Sequence, residues 1–392
     1  MKIFDIIVIT GSRADLGASV SILNGFNQLI DINAKILISG LHLDKRINED
    51  NFYLNMIEEK IIGYIDGFPK FNDRLSTSKA FSTLLTQFSD FFHKNTPDLI
   101  IVSGDRFETL AASISAHLLA IPIAHCHGGD ISGNIDDNIR HAITKLSSIH
   151  FPATELSKRR ILQMGEESWR VINSGSPALD EISSIAFEKA ENIYHKLKLD
   201  ENKKIVLVLY HAESYSKISP KERFKIIFTA LVKTLDESFQ IVCIYPNTDT
   251  GGMEIIEILE ELKDIGKINL YKNLSRRDYI LLMKNSNFMI GNSSSAIIEA
   301  PTMKLPAINI GLRQHNREQS DNIVNVENYD IEEISQAITR LNNLENNKYF
   351  INPYYKKNAG ITIANSINQI LKEKEINQLL QKDFNLFDFV LE

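Results

Sequence analysis

The sequence predicts an α/β chain folded as two doubly wound domains that face one another across a cleft. Short apolar runs alternate with helix-period stretches along nearly the whole chain, the pattern of a parallel sheet covered by helices. The alternation comes in two series, separated over residues 178–202 by a polar, helical stretch without strand signal. A length of 392 residues exceeds what one ordinary core organises and suits two domains.

In the first series, residues 4–10 (FDIIVIT) read as a strand buried on both faces, followed by the loop 11–17 and an amphipathic helix reaching about Leu29. Residues 34–39 repeat the strand pattern, with an exposed-looking His42 beyond its carboxyl end. Ala80, Leu84, Phe88 and Phe91 mark one face of a helix over 79–94, which Pro97 ends before the strand 99–102. That spacing makes Phe88, Phe91 and Phe92 core and not a base-stacking platform. A helix over 107–119, a strand over 121–124, a helix over 136–146 and a strand over 149–153 follow. Residues 155–164 and 171–173 complete a first domain at about 1–177.

The second series opens with its strongest strand, KIVLVLY over 204–210. Pro220 opens the next helix, and Pro246 closes the strand 239–245. Helices over 254–262, 276–284 and 296–300 then alternate with strands over 268–271, 288–290 and 306–310, giving a second domain over 178–363. Residues 364–392 hold a terminal helix or pair of helices expected to pack back on the first domain.

Composition narrows the function. Hydrophobic content of 43% with 24% charged residues is that of a globular protein, and a net charge of −7 argues against nucleic-acid or membrane partners, so any anion site must be local. The two cysteines, Cys126 and Cys243, have no metal-ligand spacing and suggest neither disulfide nor zinc, which points to the reducing cytoplasm. The apolar run at the N-terminus is too short for a signal peptide or a span, and no other run approaches about 18 residues. No metal and no cofactor are expected.

Facing doubly wound domains bind ligands in the crevice outside the carboxyl ends of their strands. Five polar clusters fall at such ends: residues 11–15, Gly104-Asp105-Arg106, residues 125–130, His211-Ala212-Glu213 and residues 291–295. The densest stretch, 104–150, carries Asp105, Arg106, Glu108, His125, His127, Asp130, Asp136, Asp137, Arg140 and His141. The turn Gly291-Asn292-Ser293-Ser294-Ser295 offers backbone N–H groups, hydroxyls and a helix end, which suit a phosphate. Glu299 would then reach ribose hydroxyls, and Arg313 and Arg317 would neutralise phosphate charge. The alternative is that these serines cap a helix and Glu299 is surface charge. GxGxxG after the first strand and GxxxxGK[ST] are absent, which weakens dinucleotide and P-loop readings. Plain readings also stand beside the acids and histidines: Asp105 as a helix cap, Asp137 and Arg140 as a surface pair, His141 as a brace for Asp137, and His150 as a satisfied strand histidine. Lys158-Arg159-Arg160 reads as a solvated helix face.

The segments SGDRFETLAA, HCHGGDISGNIDDNIRHAITKLS, SGSPALD, GNSSSAIIEA and NIGLRQHNREQSDNI together resemble the hydrolysing UDP-N-acetylglucosamine 2-epimerases of sialic-acid and related nonulosonate biosynthesis. The resemblance implies a GT-B fold of two Rossmann-like domains, with UDP held mainly by the second and the sugar facing the first. It also implies a reaction in which UDP is eliminated to leave a 2-acetamidoglucal and water then adds, yielding N-acetylmannosamine. On the same basis Asp105 and Asp136 are catalytic or substrate-orienting acids, Arg13 contacts the diphosphate, and His211 sits beside phosphate and sugar. Ser293, Ser294, Glu299 and Arg317 fall on UDP positions, and Arg106 places Asp105 or binds the sugar. Asp15, His42, His125, Asp137 and Arg313 complete the expected substrate-binding set.

The chain departs from several relatives by carrying His127 where they have a catalytic glutamate. Histidine also transfers protons near neutral pH and Asp130 is close, so both join the catalytic candidates and the identity of the base stays open. A second substrate, UDP-N,N'-diacetylbacillosamine of legionaminic-acid pathways, fits the same departure. A glycosyltransferase or a non-catalytic UDP-sugar sensor is a more distant reading, against which the acid cluster counts. The resemblance further implies a homodimer or homotetramer.

Overall fold

The computed structural model describes residues 2–43, 57–67, 69, 73–133, 136–187, 193–213, 218–247, 251–342 and 350–385. Two six-stranded sheets, each with every pairing parallel, form its frame. The first is ordered β3-β2-β1-β4-β5-β6, from β1 (Phe4–Thr10), β2 (Ile32–Ser39), β3 (Ile61–Ile65), β4 (Leu99–Ser103), β5 (Ile123–Cys126) and β6 (Ile149–Phe151). The second repeats that topology as β12-β11-β10-β7-β8-β9, from β7 (Lys204–Leu209), β8 (Phe239–Ile244), β9 (Asn269–Tyr271), β10 (Ser286–Gly291), β11 (Ala307–Ile310) and β12 (Ile323–Val326).

Central strands are buried along their length, as their unbroken Val, Ile and Leu runs require: β4 has no exposed position, and β7 is buried after Lys204. In each sheet the strand order reverses at the centre, between β1 and β4 and between β7 and β10, which opens a crevice at the carboxyl ends. The two-sheet, GT-B-like architecture expected from the sequence is the one observed.

The helices are α1 (Arg13–Phe26), α2 (Arg74–Asn95), α3 (Phe107–Leu118), α4 (Asp136–Leu146), α5 (Glu155–Gln163), α6 (Asp180–Phe187), α7 (Ile193–Lys196), α8 (Pro220–Thr234), α9 (Gly252–Asp264), α10 (Arg276–Asn285), α11 (Ser295–Ile298), α12 (Ile331–Asn342), α13 (Ala359–Glu373) and α14 (Ile376–Leu380). Phe88 and Phe92 of α2 are fully buried in the core of the first sheet. Two strands escaped the sequence pattern, β3 and β12. Both are short, partly exposed edge strands whose apolar runs are interrupted, IIGYI by Gly63 and IVNV by Asn325. Residues 171–173 form no strand; Val171 makes one isolated bridge to His150.

Helix α13 starts at Ala359, ahead of the expected 364, and lies against α1. Asp180 anchors its first turn, accepting from the N–H groups of Ala359 (3.0 Å) and Gly360 (2.8 Å) as well as from the Ser21 hydroxyl (2.7 Å). The crossing is close because Gly25 meets Gly360 there: a Cβ on Gly25 would stand 2.7 Å from the Gly360 carbonyl oxygen. Ile363, Ile367 and Leu371 of α13 and Leu379 of α14 share one core with Phe4, Ile6, Leu23 and Phe26.

Beyond α14, buried charge fastens the chain to the first half. Lys382 Nζ donates to both oxygens of Glu166 (3.1 and 2.9 Å) and to the carbonyls of Lys145 (2.7 Å) and Ser147 (2.9 Å). Arg170 donates to the carbonyls of Gln378, Leu379 and Gln381. Burial alone would raise the Glu166 pKa, but His150, Lys145 and Lys382 outweigh it and bring it down to about 2. A carboxylate depressed in the folded state contributes stability above its unfolded value, and loses it as pH falls through the folded one. Glu166→Gln is therefore expected to lower the urea midpoint at pH 7, with the deficit shrinking as the pH falls from about 4.5 towards about 2. Urea titrations across that range check this.

Candidate active site

A cavity of about 1060 Å³ occupies the crevice between the carboxyl ends of the two sheets. From the first half it takes Asp105, Arg106, His127, Asp130 and Asp136, with Asp15 and His42 at one side. From the second it takes His211, Ser293, Ser294, Glu299, Arg313 and Arg317.

Arg140 organises the acidic wall. Its guanidinium is 1% exposed, pairs with both Asp105 and Asp137, and donates to the Asp130 carbonyl at 2.9 Å. It is thus a buried hub and not half of a surface pair. The neighbours Asp136 and Asp137 divide their work. Asp137 accepts from the N–H groups of Ser132 and Gly133 and from the Ser132 hydroxyl, tying these two residues to the first turn of α4. Asp136 lines the cavity.

Asp130 is 3% exposed and receives the Ser157 hydroxyl on one oxygen (2.6 Å) and Arg317 on the other (3.0 Å). Burial works to raise its pKa, but His127, Arg317 and Ser157 outweigh it and hold the carboxyl below its ordinary range. Because Arg317 follows β11, this ion pair ties the two halves together across the cavity. His127 follows β5 at φ 60°, in the left-handed region. Its Nδ1 stands 3.6 Å from Asp130, and its Nε2 is 3.0 Å from the Ser176 hydroxyl.

On the opposite wall, Gly291 ends β10 at φ 146° with its backbone pressed on β7, where a Cβ would lie 2.0 Å from the Leu209 carbonyl oxygen. Asn292 then stitches the two loops: it accepts from the His211 N–H (2.7 Å), donates to the His211 carbonyl (2.9 Å), and its own carbonyl accepts from Arg313 and Gln314. The Asn247 N–H donates to His211 Nδ1 at 3.0 Å, so a neutral His211 carries its proton on Nε2. Ser293 Oγ accepts from the Ser295 N–H (3.3 Å), a local capping bond. Glu299 pairs with Arg276, a half-buried arginine that also donates to the Ala178 carbonyl and approaches Glu181.

Several expectations change. His42 is buried, with Nε2 2.9 Å from the Thr10 hydroxyl, because the turn after β2 folds it inward. Asp15 lines the cavity, but its carboxylate accepts from the N–H groups of Gly11 and Ser12 and the hydroxyls of Ser12 and Thr10, so it holds its own loop. His125 is wholly buried between the Gly104 carbonyl (2.8 Å) and Thr144 (3.2 Å), with burial driving its pKa down to about 3; it supports the loop from behind. Asp137 likewise acts on the turn and not on the cavity. Glu299 is no surface charge, and Arg317 faces a carboxylate as well as the cavity. Arg106 lines the cavity while its Nε donates to the buried Glu108 at 2.7 Å. Arg13 opens α1, and its side chain lies outside the described residues.

The sequence reading passed over Ser176 and Arg276. Ser176 sits in the quoted segment SGSPALD and reads as an ordinary turn residue; Arg276 opens a helix some twenty residues before the glutamate it pairs with, so no local spacing marks either.

The model of the family described as UDP-N-acetylglucosamine 2-epimerase matches residues 26–368. A UDP-N,N'-diacetylbacillosamine 2-epimerase (hydrolyzing) of Legionella pneumophila is 39% identical over 82% of this chain and 85% of its own length. A GDP/UDP-N,N'-diacetylbacillosamine 2-epimerase (hydrolyzing) of Campylobacter jejuni is 32% identical over 97% of this chain and 98% of its own. Among solved structures, the UDP-GlcNAc 2-epimerase of Methanocaldococcus jannaschii in complex with UDP-GlcNAc and UDP superposes with a TM-score of 0.79 at 19% identity, covering 93% of this chain and 99% of that one. With the family match spanning most of the chain and relatives this similar over nearly its whole length, the chain belongs to the UDP-N-acetylglucosamine 2-epimerase family.

Proposed function

We propose that the chain is a hydrolysing 2-epimerase of a UDP-linked 2-acetamido sugar. It eliminates UDP to leave a 2-acetamidoglucal and adds water, releasing the free sugar with C2 inverted. The observation that carries this is the pairing, across one cavity, of an acid wall containing Asp105, His127, Asp130 and Asp136 with a wall of hydroxyls, backbone N–H groups and His211. The C2–H bond is a very weak acid, so its removal needs a positioned base and stabilisation of the departing diphosphate; proton transfer of this kind contributes about 10²–10⁴-fold. In this reading UDP lies along the second half, with Ser293, Ser294 and Arg313 near its phosphates and Glu299 near the ribose. The sugar turns towards Asp105 and Asp136. Closure of the halves around the nucleotide would keep water out until the glucal forms.

UDP-N-acetylglucosamine and UDP-N,N'-diacetylbacillosamine are both candidate substrates. The second is favoured by the names of the Legionella and Campylobacter relatives, at 39% and 32% identity. Offering each nucleotide in deuterated water and following the products by NMR tests both points. Expected is UDP release with deuterium at C2 of a manno-configured free sugar, faster from the true substrate. Retention of the C2 proton, or no reaction with either nucleotide, overturns the proposal.

A further inference from the structure

We propose that Ser176 is a positioning residue that fixes His127 as the tautomer protonated on Nδ1, so that His127 serves the reaction as a hydrogen-bond donor and leaves proton abstraction at C2 to a carboxylate. This rests on the hydrolysing 2-epimerase reading above and deepens it.

Ser176 precedes the short turn Pro177–Leu179 and is fully buried, its N–H given to the Tyr354 carbonyl at 2.8 Å. Among the described residues its hydroxyl has one hydrogen-bond partner, Nε2 of His127 at 3.0 Å. A buried hydroxyl proton needs an acceptor. Here that acceptor is Nε2, which must then be the unprotonated nitrogen of the neutral ring. The proton falls to Nδ1, and Nδ1 is the side of the ring that faces Asp130, 3.6 Å away. Asp130 is kept ionised there by Arg317 and Ser157, so its negative charge favours an N–H on that side independently of Ser176. At 3.6 Å the contact is electrostatic and not a formed hydrogen bond, which leaves the Nδ1–H available to an acceptor in the cavity.

A neutral imidazole with its proton on Nδ1 and its Nε2 turned to Ser176 has no free lone pair with which to remove the C2 proton. It can hold an acetamido or hydroxyl oxygen of the sugar. The base at C2 is then one of the carboxylates that line the cavity, Asp105 or Asp136. His127 is also held at φ 60°, one of the sparsely populated backbone conformations that cluster at functional sites.

Asparagine decides between donor and base. Its side-chain N–H stands close to where Nδ1–H of histidine does, and asparagine tolerates the left-handed backbone. His127→Asn is expected to keep catalysis with a loss of about tenfold in kcat, whereas loss of the general base would remove about 10²–10⁴-fold. Ser176→Ala is expected to lower kcat several-fold with KM nearly unchanged. In ¹⁵N-histidine-labelled wild-type protein, the His127 ring is expected to show a pyridine-type Nε2 and a pyrrole-type Nδ1, with that distinction reduced in Ser176→Ala, where Asp130 alone favours Nδ1–H, and restored in Ser176→Thr. A pyridine-type Nδ1 in the wild type, or a loss beyond 10²-fold in a folded His127→Asn protein, overturns the proposal. The NMR readout needs no turnover, so a wild type that acts on neither nucleotide would defeat the functional reading while the tautomer is still measured.

Discussion

Asp136→Asn is expected to lower kcat by about 10²–10⁴-fold while changing UDP affinity less than twofold, because it removes a proton acceptor without emptying the nucleotide wall. Asp136 lines the cavity at the first residue of α4, beside Asp137, which is bound to the turn at Ser132 and Gly133. The isosteric change keeps the shape of the side chain and removes its charge. Asp137→Asn is the matched control: its loss would act through the turn and the Arg140 hub, lowering the melting temperature and kcat together. Steady-state kinetics and UDP calorimetry on the two variants separate these effects. Equal losses of kcat at unchanged stability would show that the two carboxylates had been assigned wrongly.

The contrast between these adjacent aspartates also shows where sequence reasoning reaches its limit. The two alternating series, the convergence of loops at strand ends and the acid-rich stretch were legible, because buried parallel strands must be apolar throughout and their polar residues must gather at the ends. Edge strands β3 and β12 were not, since each is short and partly exposed, with its apolar run interrupted by Gly63 or by Asn325. Within the site, the sequence identifies residue types but not what each faces. Asp15, His125 and Asp137 have the chemistry of ligands, yet each satisfies backbone or buried groups of its own loop. Ser176 and Arg276 meet their partners only through the fold, 49 residues from His127 in one case, and so left no local spacing to read.

The pairing of Asp130 with Arg317 across the halves, 187 residues apart, is of the same kind, and it carries the second large effect. Arg317→Ala removes the cation from a carboxylate that is 3% exposed. Leaving a buried charge without its partner typically costs about 3–5 kcal/mol, far more than the net worth of the pair itself. A marked fall in the urea midpoint is therefore expected at pH 7. Adding Asp130→Asn should restore much of it, because the orphaned charge goes with it. The pH dependence has a definite sign. In the wild type the depressed Asp130 pKa adds stability above the unfolded carboxylate value, which is lost as the pH falls through the lower folded one. In Arg317→Ala that pKa rises, so the gap between variant and wild type narrows on acidification. A phosphate-binding role alone would leave the ligand-free midpoint unmoved and change only UDP affinity. Urea titrations without ligand, at neutral and acidic pH and with the double variant, therefore separate an arginine that bridges the cleft from one that merely awaits the diphosphate.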